Sequence, residues 1–204
     1  SSLSCLKVVM ETVIWAFVVL VRVVIGLWGY SGAGVSPMFG DFEAQRHWLE
    51  ITISLPIGDW YRNTASNDLL YWGLDYPPLT AYVSYLCGII AQKVVPALVT
   101  LFDSRGHESL EGKIFMRMTV IVLEIMLFIP VMTAVYSQVV TSWAKGGKVV
   151  STADKYLACL ASLLLPGLVL IDHGHFQYNG VCLGLALLGA YLILEGWDIL
   201  GSIF

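Results

Sequence analysis

Charged residues are scarce in this chain, where they make up 13% of 204 residues, against about 25% in an ordinary soluble domain. Hydrophobic residues reach 57%, and the mean hydropathy is +0.76. The net charge of −4 at pH 7 excludes a basic nucleic-acid binder. The composition therefore excludes a soluble domain and indicates a protein that sits in a lipid bilayer.

Cysteine is also sparse and scattered. The four cysteines form no CxxC pair, and three of them lie inside apolar runs; they are Cys5, Cys87, Cys159 and Cys182. This spacing argues against a zinc site and predicts no disulfide framework. None of the three asparagines lies in an N-x-[S/T] sequence, so the glycosylation pattern gives no information on topology.

Four apolar runs predict an all-α, multi-span helical bundle. The predicted spans cover residues 12–30, 114–136, 156–172 and 178–195. At 1.5 Å per residue, the first run nearly covers a hydrocarbon core of about 30 Å. A large loop, residues 31–113, separates the first two spans, and a short polar hinge joins the last two. Because the chain begins without Met and stops just after an apolar run, we expect it to be part of a longer protein.

The large loop is predicted to hold two helices at the membrane surface. In residues 41–55 the charged side chains recur at helical spacing on one arc, with apolar residues around the rest. Asp41 supplies a cap at its start, and Pro56 supplies its end. The second stretch, residues 78–95, is apolar enough either to cross the bilayer or to lie in the interface.

The charge distribution favours the interfacial placement of residues 78–95. Residues 41–75 carry six carboxylates and two arginines, whereas residues 137–155 carry three lysines and one Asp. Short loops rich in lysine stay cytosolic. With residues 78–95 in the interface, the acidic loop and the hinge share the lumenal side, opposite the lysines. If residues 78–95 instead crossed the bilayer, the hinge would face the other side and the lysines would be translocated.

Two aspartates flank the aromatic-rich part of the loop. Asp41 opens the predicted helix, and Asp75 precedes the Pro77-Pro78 pair. Each of them fits a helix cap or a general base. Asp41 and Glu43 also match a D-x-E pattern that holds a metal on a sugar-donor phosphate, although a three-residue pattern is weak. Two carboxylates beside one aromatic loop suit a reaction that handles carbohydrate next to a lipid.

The polar hinge between the last two spans carries several side chains able to bind a ligand. His173 and His175 are two residues apart, so on a helix they point about 200° apart and meet at a metal only if the hinge is extended. Hydrogen bonding to a sugar or to neighbouring backbone is favoured for the amides and phenol that follow, Gln177, Tyr178 and Asn179.

Three charged residues fall inside predicted spans: Arg22, Arg117 and Glu124. An unpaired charge in the hydrocarbon region is costly, so these side chains are expected to face the bundle interior. There they form structural ion pairs, meet a phosphate, or line a substrate pathway as in a transporter or receptor.

Three motifs resemble the endoplasmic-reticulum glucosyltransferases that use dolichyl phosphate glucose. They are Gly40–Trp48 (GDFEAQRHW), Trp72–Tyr82 (WGLDYPPLTAY) and Ile171–Asn179 (IDHGHFQYN). The first two are most similar to the family members that act first in glucosylation. The resemblance runs from about Arg22 to Glu195, which is nearly the whole chain.

This resemblance implies the amino-terminal part of a GT-C bundle whose first lumenal loop carries juxtamembrane helices, in the endoplasmic-reticulum membrane. It implies an inverting transfer of glucose, without metal or cofactor, from dolichyl phosphate glucose to a dolichyl-pyrophosphate-linked oligosaccharide, giving an α-1,3 product. Asp41 matches the general base, and Asp75 is expected to support it. The candidate substrate-binding residues are Glu43, Arg46, His47, Tyr76, His175, Gln177 and Asn179.

Residues that bind the donor phosphate are expected beyond residue 204, because family members supply them from their carboxyl-terminal half. Two other classes therefore stay open. One is a non-catalytic, truncated form of the enzyme, and the other is a membrane transporter or receptor.

Overall fold

The computed structural model describes residues 2–147 and 151–204, in which the regular elements are all helices. The chain divides into two compact units. Ser1–Trp28, Val120–His173 and Tyr178–Phe204 form one, here the apolar unit. Gly29–Thr119 and Gly174–Gln177 form the other, here the polar unit. The architecture confirms the expected all-α membrane protein.

The α-helices of the described residues are, in chain order, α1 (Ser2–Gly26), α2 (Gly40–Ser54), α3 (Pro78–Val94), α4 (Leu110–Leu123), α5 (Ile129–Lys145), α6 (Thr152–Leu163), α7 (Pro166–Val169), α8 (Asn179–Leu194) and α9 (Asp198–Gly201). Two π-helical segments, Glu124–Phe128 and Leu170–Phe176, continue α4 into α5 and extend α7. Such segments hold one more residue per turn than an α-helix and often mark functional positions.

Three helical stretches of the described residues are long and apolar enough to cross a membrane. They are Lys7–Gly26, Leu110–Val140 and Thr152–Phe176. The predicted spans 12–30, 114–136 and 156–172 fall on them with shifted ends, since α1 stops at Gly26. The predicted span 178–195 corresponds to α8, whose 16 residues reach only about 24 Å, so its crossing stays a prediction.

The third stretch is interrupted near its middle. Helix α6 ends at Leu163, and α7 begins at Pro166, whose ring nitrogen has no hydrogen to donate to the preceding turn. The start of α6 is well defined, because the Ser151 hydroxyl accepts a hydrogen bond from the Asp154 N–H at 3.0 Å.

Of the lysines predicted to be cytosolic, Lys148 lies outside the described residues.

A hydrophobic core lies within the described residues of the apolar unit. It is built from α1, α6, α7 and the residues where the first π segment meets α5: Val18, Phe128, Ile129, Cys159, Leu163 and Leu168. All of them are buried, so this packing fixes α1 against the helices that follow.

The polar unit is organised by the packing of α3 on α2. Small side chains form the buried face of α3: Ala81, Ser84, Cys87, Gly88 and Ala91. A Cβ atom at Gly88 would lie 2.9 Å from the Leu49 carbonyl oxygen, so the two backbones approach closely there. The two helices expected at residues 41–55 and 78–95 are therefore present. Helix α3 is not among the stretches long and apolar enough to span, and its interfacial orientation stays a prediction.

The charged arc of α2 is covered by protein, and the expected position of this helix at the membrane surface stays a prediction. Residues 42–52 are all buried, including Glu43, Arg46, His47 and Glu50. The reason is electrostatic, because carboxylates spaced three and four residues from Arg46 satisfy its charge inside the protein. Helical periodicity identified the polar face correctly but not what covers it.

Candidate active site

Asp41 lies in the first turn of α2, yet its side chain does not cap the helix. Phe39, in a left-handed conformation with φ 56°, precedes the helix, and no side-chain cap is formed. The backbone N–H of Asp41 instead donates to Ser31 Oγ at 3.2 Å. The interpretation of Asp41 as an N-cap is therefore wrong, and its carboxylate is available for other partners.

Two side chains from the hinge converge on one oxygen of Asp41. His175 Nε2 lies 2.9 Å from Asp41 Oδ2, and Gln177 Nε2 donates to the same oxygen at 2.5 Å. Because a carboxylate can only accept, the shared proton of the first bond sits on His175 Nε2. Gln45 donates to Gln177 Oε1 at 3.4 Å and orients that amide.

The Asp41 carboxylate remains accessible. Its side chain is 36% exposed, and that of His175 is 45% exposed. Oδ1 accepts no hydrogen bond from any residue that the structure describes. One oxygen is therefore held by the protein, while the other is free to accept a hydrogen bond from a ligand hydroxyl.

The hinge residues meet Asp41 because the chain leaves helical geometry at Phe176, where φ is +97°. The Phe176 ring is buried and tilted against Phe42, with 4.8 Å between centroids. The backbone N–H of Ser31 donates to the His175 carbonyl oxygen at 2.9 Å. Sequence analysis missed Ser31 and Phe176, because no local pattern signals the backbone conformation that brings them into the site.

Three of the candidate binding residues lie instead in a buried ion-pair network of α2. Arg46 Nη2 donates to Glu43 Oε1 at 2.6 Å and to Glu50 Oε2 at 2.8 Å. His47 Nδ1 lies 3.0 Å from Glu50 Oε2. Ser104 Oγ accepts from Arg46 Nη1 at 2.7 Å. We therefore reassign Glu43, Arg46 and His47 from substrate binding to the internal structure of the polar unit.

This network changes the acidity of its members. Burial alone would raise the pKa of Glu50, but hydrogen bonding to His47 and the charge of Arg46 outweigh it and lower the pKa to about 2. Burial alone would lower the pKa of Arg46, but its bonds to Glu43 raise it. The network is therefore fully ionised at neutral pH at these two positions.

The D-x-E metal interpretation does not fit this geometry. Both oxygens of Glu43 are occupied, since Arg46 Nε donates to Oε2 at 2.7 Å and the Tyr71 hydroxyl donates to Oε1 at 2.8 Å. The Asp41 carboxylate is bonded to the hinge residues. The two carboxylates thus serve different partners, and no cluster of metal-binding side chains occurs in the described part of the chain.

The second predicted carboxylate, Asp75, is exposed and makes no hydrogen bond to residues within the described ranges. Tyr76 is 44% exposed, and its ring lies 5.3 Å from that of Trp48. The Tyr61 hydroxyl donates to the Tyr76 carbonyl oxygen at 2.8 Å and so fixes this turn. The structure records no contact between Asp75 and Asp41, and a role for Asp75 and Tyr76 in binding stays a prediction.

Asn179, another candidate, belongs to the apolar unit and is engaged with Asp172. Its Nδ2 donates to Asp172 Oδ1 at 2.8 Å, and its N–H donates to the same oxygen at 3.1 Å. The Gly180 N–H donates to Asp172 Oδ2 at 2.6 Å. Asp172 thereby satisfies free N–H groups at the start of α8, and a role of Asn179 in substrate binding stays a prediction.

Charged residues inside the apolar unit face its interior, as expected. Arg22 Nε donates to Glu124 Oε2, and Arg22 Nη2 donates to the Leu163 carbonyl oxygen at 3.0 Å. His173 Nε2 lies 3.0 Å from the same Glu124 oxygen. All three charged or titratable side chains are buried. Arg22 and His173 thus share one carboxylate oxygen of Glu124.

A multi-pass helical membrane protein with an accessible, protein-held carboxylate is the class that the fold and this site define. Comparison with family models narrows the class. The chain belongs to the ALG6, ALG8 glycosyltransferase family, whose model matches residues 7–204.

Three relatives show how far the similarity extends. The chain is 52% identical over 182 residues to the dolichyl pyrophosphate Man9GlcNAc2 alpha-1,3-glucosyltransferase of Gallus gallus, covering 89% of this chain and 34% of that protein. It is 49% identical over 200 residues to the Mus musculus enzyme of the same name, covering 95% and 38%. A probable enzyme of that name in Arabidopsis thaliana is 51% identical over 171 residues, covering 84% and 31%. The chain thus spans about a third of the length of these relatives.

Proposed function

We propose that the full-length protein transfers glucose from dolichyl phosphate glucose to the terminal mannose of a dolichyl-pyrophosphate-linked oligosaccharide, with Asp41 as the general base. The acceptor and the α-1,3 linkage follow the names of the relatives. The donor, the inverting course and the lumenal face of the endoplasmic reticulum follow the resemblance of the motifs. The observation that carries the proposal is the Asp41 carboxylate, with Oδ2 bonded to His175 and Gln177 and Oδ1 open.

A positioned carboxylate supplies what this reaction needs. A sugar hydroxyl is a poor nucleophile at neutral pH, and general-base catalysis contributes roughly 10²–10⁴-fold. Oδ1 of Asp41 takes the proton of the mannose 3-hydroxyl as its oxygen bonds to the glucose anomeric carbon. The bond from that carbon to the phosphate oxygen breaks, and its electron pair leaves with dolichyl phosphate. One displacement converts a β-linked donor into an α-linked product.

His175 and Gln177 have a supporting task in this scheme. Their side-chain nitrogens hold Oδ2, and they fix the direction in which Oδ1 points. The leaving phosphate also needs cationic or N–H partners. We expect those partners in the part of the full-length protein that follows residue 204.

The direct test is glucose transfer by full-length Asp41→Asn protein with dolichyl phosphate glucose and the lipid-linked acceptor. Asn keeps the size of the side chain and an oxygen that accepts from the hinge but cannot take the proton, so turnover should fall roughly 10²-fold or more. Asp103→Asn, which changes an exposed carboxylate of the same unit, is the matched control and should keep normal turnover.

Two further arms make this test specific. Asp75→Asn should cause a smaller loss than Asp41→Asn; normal turnover in Asp41→Asn with abolished turnover in Asp75→Asn would reverse the two roles. Added chelator should leave transfer unchanged, because the proposed mechanism uses no metal. Residues 1–204 assayed alone would establish whether this segment needs the remainder of the protein for activity.

A further inference from the structure

Arg117 is a buried cation of the polar unit that has no carboxylate partner among the described residues. Its side chain lies on α4, and the residue is 4% exposed. Its Nη2 donates to the Gly174 carbonyl oxygen at 2.9 Å and to the Gly29 carbonyl oxygen at 3.0 Å. Burying a charge without a counter-charge is unfavourable, so the position of Arg117 calls for a reason beyond packing.

One of the two carbonyl groups that Arg117 binds, that of Gly174, lies at the end of a helical segment. Gly174 lies in the last turn of the π segment Leu170–Phe176, where carbonyl oxygens have no later N–H in the segment to accept from. A guanidinium at such an end also interacts favourably with the helix dipole. Arg117 therefore fixes the backbone immediately before the two residues that bind Asp41.

Arg117 also contacts the ring of Phe176. The guanidinium carbon of Arg117 lies 5.5 Å from the centroid of the Phe176 ring, within the range of a cation–π contact. The Phe176 backbone, at φ +97°, is in a region that residues with a side chain rarely adopt. Such a conformation persists only where its surroundings impose it, and Arg117 and Phe42 supply those surroundings.

The far side of this short segment is tied to Asp41 itself through Ser31. The Ser31 N–H donates to the His175 carbonyl oxygen at 2.9 Å, while Ser31 Oγ accepts from the Asp41 N–H at 3.2 Å. Gly174, His175 and Gln177 thus form hydrogen bonds to α4, to α2 or to the residues before α2. Phe176 contacts α2 and α4 through its ring. Since the backbone is fixed on both sides, the side chains of His175 and Gln177 have one direction in which to point.

We propose that Arg117 is a positioning residue for the general base: by holding Gly174 and Phe176, it sets His175 and Gln177 against Asp41. The inference rests on the proposed function of Asp41. Arg117 touches neither the reacting atoms nor the carboxylate, so its effect on catalysis passes through the hinge residues.

The test compares Arg117→Lys with Arg62→Lys in the full-length protein, because Arg62 is exposed and offers the same exchange at a neutral position. Lysine keeps the charge but cannot reproduce the planar guanidinium over Phe176 while bonding two carbonyls. We expect the kcat of Arg117→Lys to fall about 10- to 100-fold with KM for both substrates within about twofold.

Testing Arg117→Lys in a protein without the His175 and Gln177 side chains distinguishes a positioning role from a general loss of structure. In protein that already carries His175→Ala and Gln177→Ala, Arg117→Lys should cause no further loss of kcat, because the residues through which it acts are absent. Phe176→Leu, which keeps an apolar side chain but removes the ring, should lower kcat with little change in KM and so tests the same role if Arg117→Lys does not fold.

The outcomes distinguish this inference from the proposed function. If Asp41→Asn is inactive but Arg117→Lys and Phe176→Leu match Arg62→Lys in kcat per folded molecule, the positioning role is wrong while the function stands. An unchanged loss in the double-alanine background would likewise overturn it. If Asp41→Asn is fully active, the proposed function itself fails, and the positioning role fails with it.

Discussion

His173 Nε2 and Glu124 Oε2 lie 3.0 Å apart in the interior of the apolar unit, and Arg22 donates to the same carboxylate oxygen. The other oxygen, Glu124 Oε1, and His173 Nδ1 are buried and find no hydrogen-bond partner in the described part of the chain. One carboxylate oxygen therefore satisfies both an arginine and a histidine within helices that are apolar enough to span a bilayer.

Glu124→Gln should destabilise the protein strongly. The substitution leaves Arg22 as a buried cation without a counter-charge, and removing one partner of a buried pair costs about 3–5 kcal/mol. The exposed pair of Lys7 and Glu11, with 3.9 Å between its charged atoms, provides the control. Glu11→Gln should change the free energy of unfolding by less than about 1 kcal/mol. Thermal unfolding in detergent, followed by circular dichroism, measures both, and equal melting temperatures for the two variants would contradict the prediction.

Gly180→Ala should destabilise the same region. A Cβ atom at this position would overlap the Glu124 carboxylate, so either the carboxylate or α8 has to shift. Gly167→Ala is the matched control, because its Cβ would meet nothing within 4 Å. We expect a melting temperature several degrees lower for Gly180→Ala and little change for Gly167→Ala. If the clash acts through Glu124, the effects of Gly180→Ala and Glu124→Gln will not add in the double variant.

Acid should remove the stabilisation that Glu50 supplies to the polar unit. Its pKa is lowered from 4.5 to about 2, so the folded state favours the ionised form, and this stabilisation is complete above pH 4.5. It should be lost as the pH falls from 4.5 towards 2, and its size is about 3 kcal/mol. Melting temperatures of the wild type and Glu50→Gln should therefore differ most near pH 6 and converge near pH 2. Glu111→Gln, at an exposed position, should show a small difference that does not depend on pH.

The predicted topology places the acidic loop in the lumen and the lysine-rich loop in the cytosol. Ala65→Thr completes an N-x-T sequence that starts at the exposed Asn63, and Val149→Asn creates one with Ser151. We expect the first variant to gain an endoglycosidase-sensitive mass in microsomes and the second to remain unmodified. Glycan on the second variant alone would invert the topology, whereas glycan on both variants would place α3 across the bilayer.

The sequence predicts the helices of the polar unit well and their surroundings poorly. Pro56 and Pro78 place the end of α2 and the start of α3 to within two residues, because proline restricts the backbone locally. The burial of Arg46 was not predictable, since its partners Leu98 and Ser104 come from a segment more than 50 residues away. Periodicity reports which residues share a face, whereas burial depends on distant parts of the chain.

In the candidate site, too, the sequence identified residues but not the contacts between them. Asp41 was identified from its motif, and His175 and Gln177 were both suspected of binding, but nothing in their spacing predicted that they bind Asp41. That contact depends on the backbone of Phe176, whose φ of +97° no local pattern signals. Arg22 and Glu124 were expected to face the bundle interior, but their contact with His173 was not foreseen, because these contacts join side chains 49 and 102 positions apart.

The contacts of Asp41 also fix when the site can come into being during biosynthesis. His175 and Gln177 follow Asp41 by 134 and 136 residues, so the ribosome delivers the carboxylate long before its two donors. At about 5–20 residues per second, Asp41 waits roughly 7–27 seconds for the hinge to be made. Until residue 177 has been made, the Asp41 carboxylate lacks the two donors that orient it. The site around Asp41 is therefore complete only after most of this segment has been synthesised.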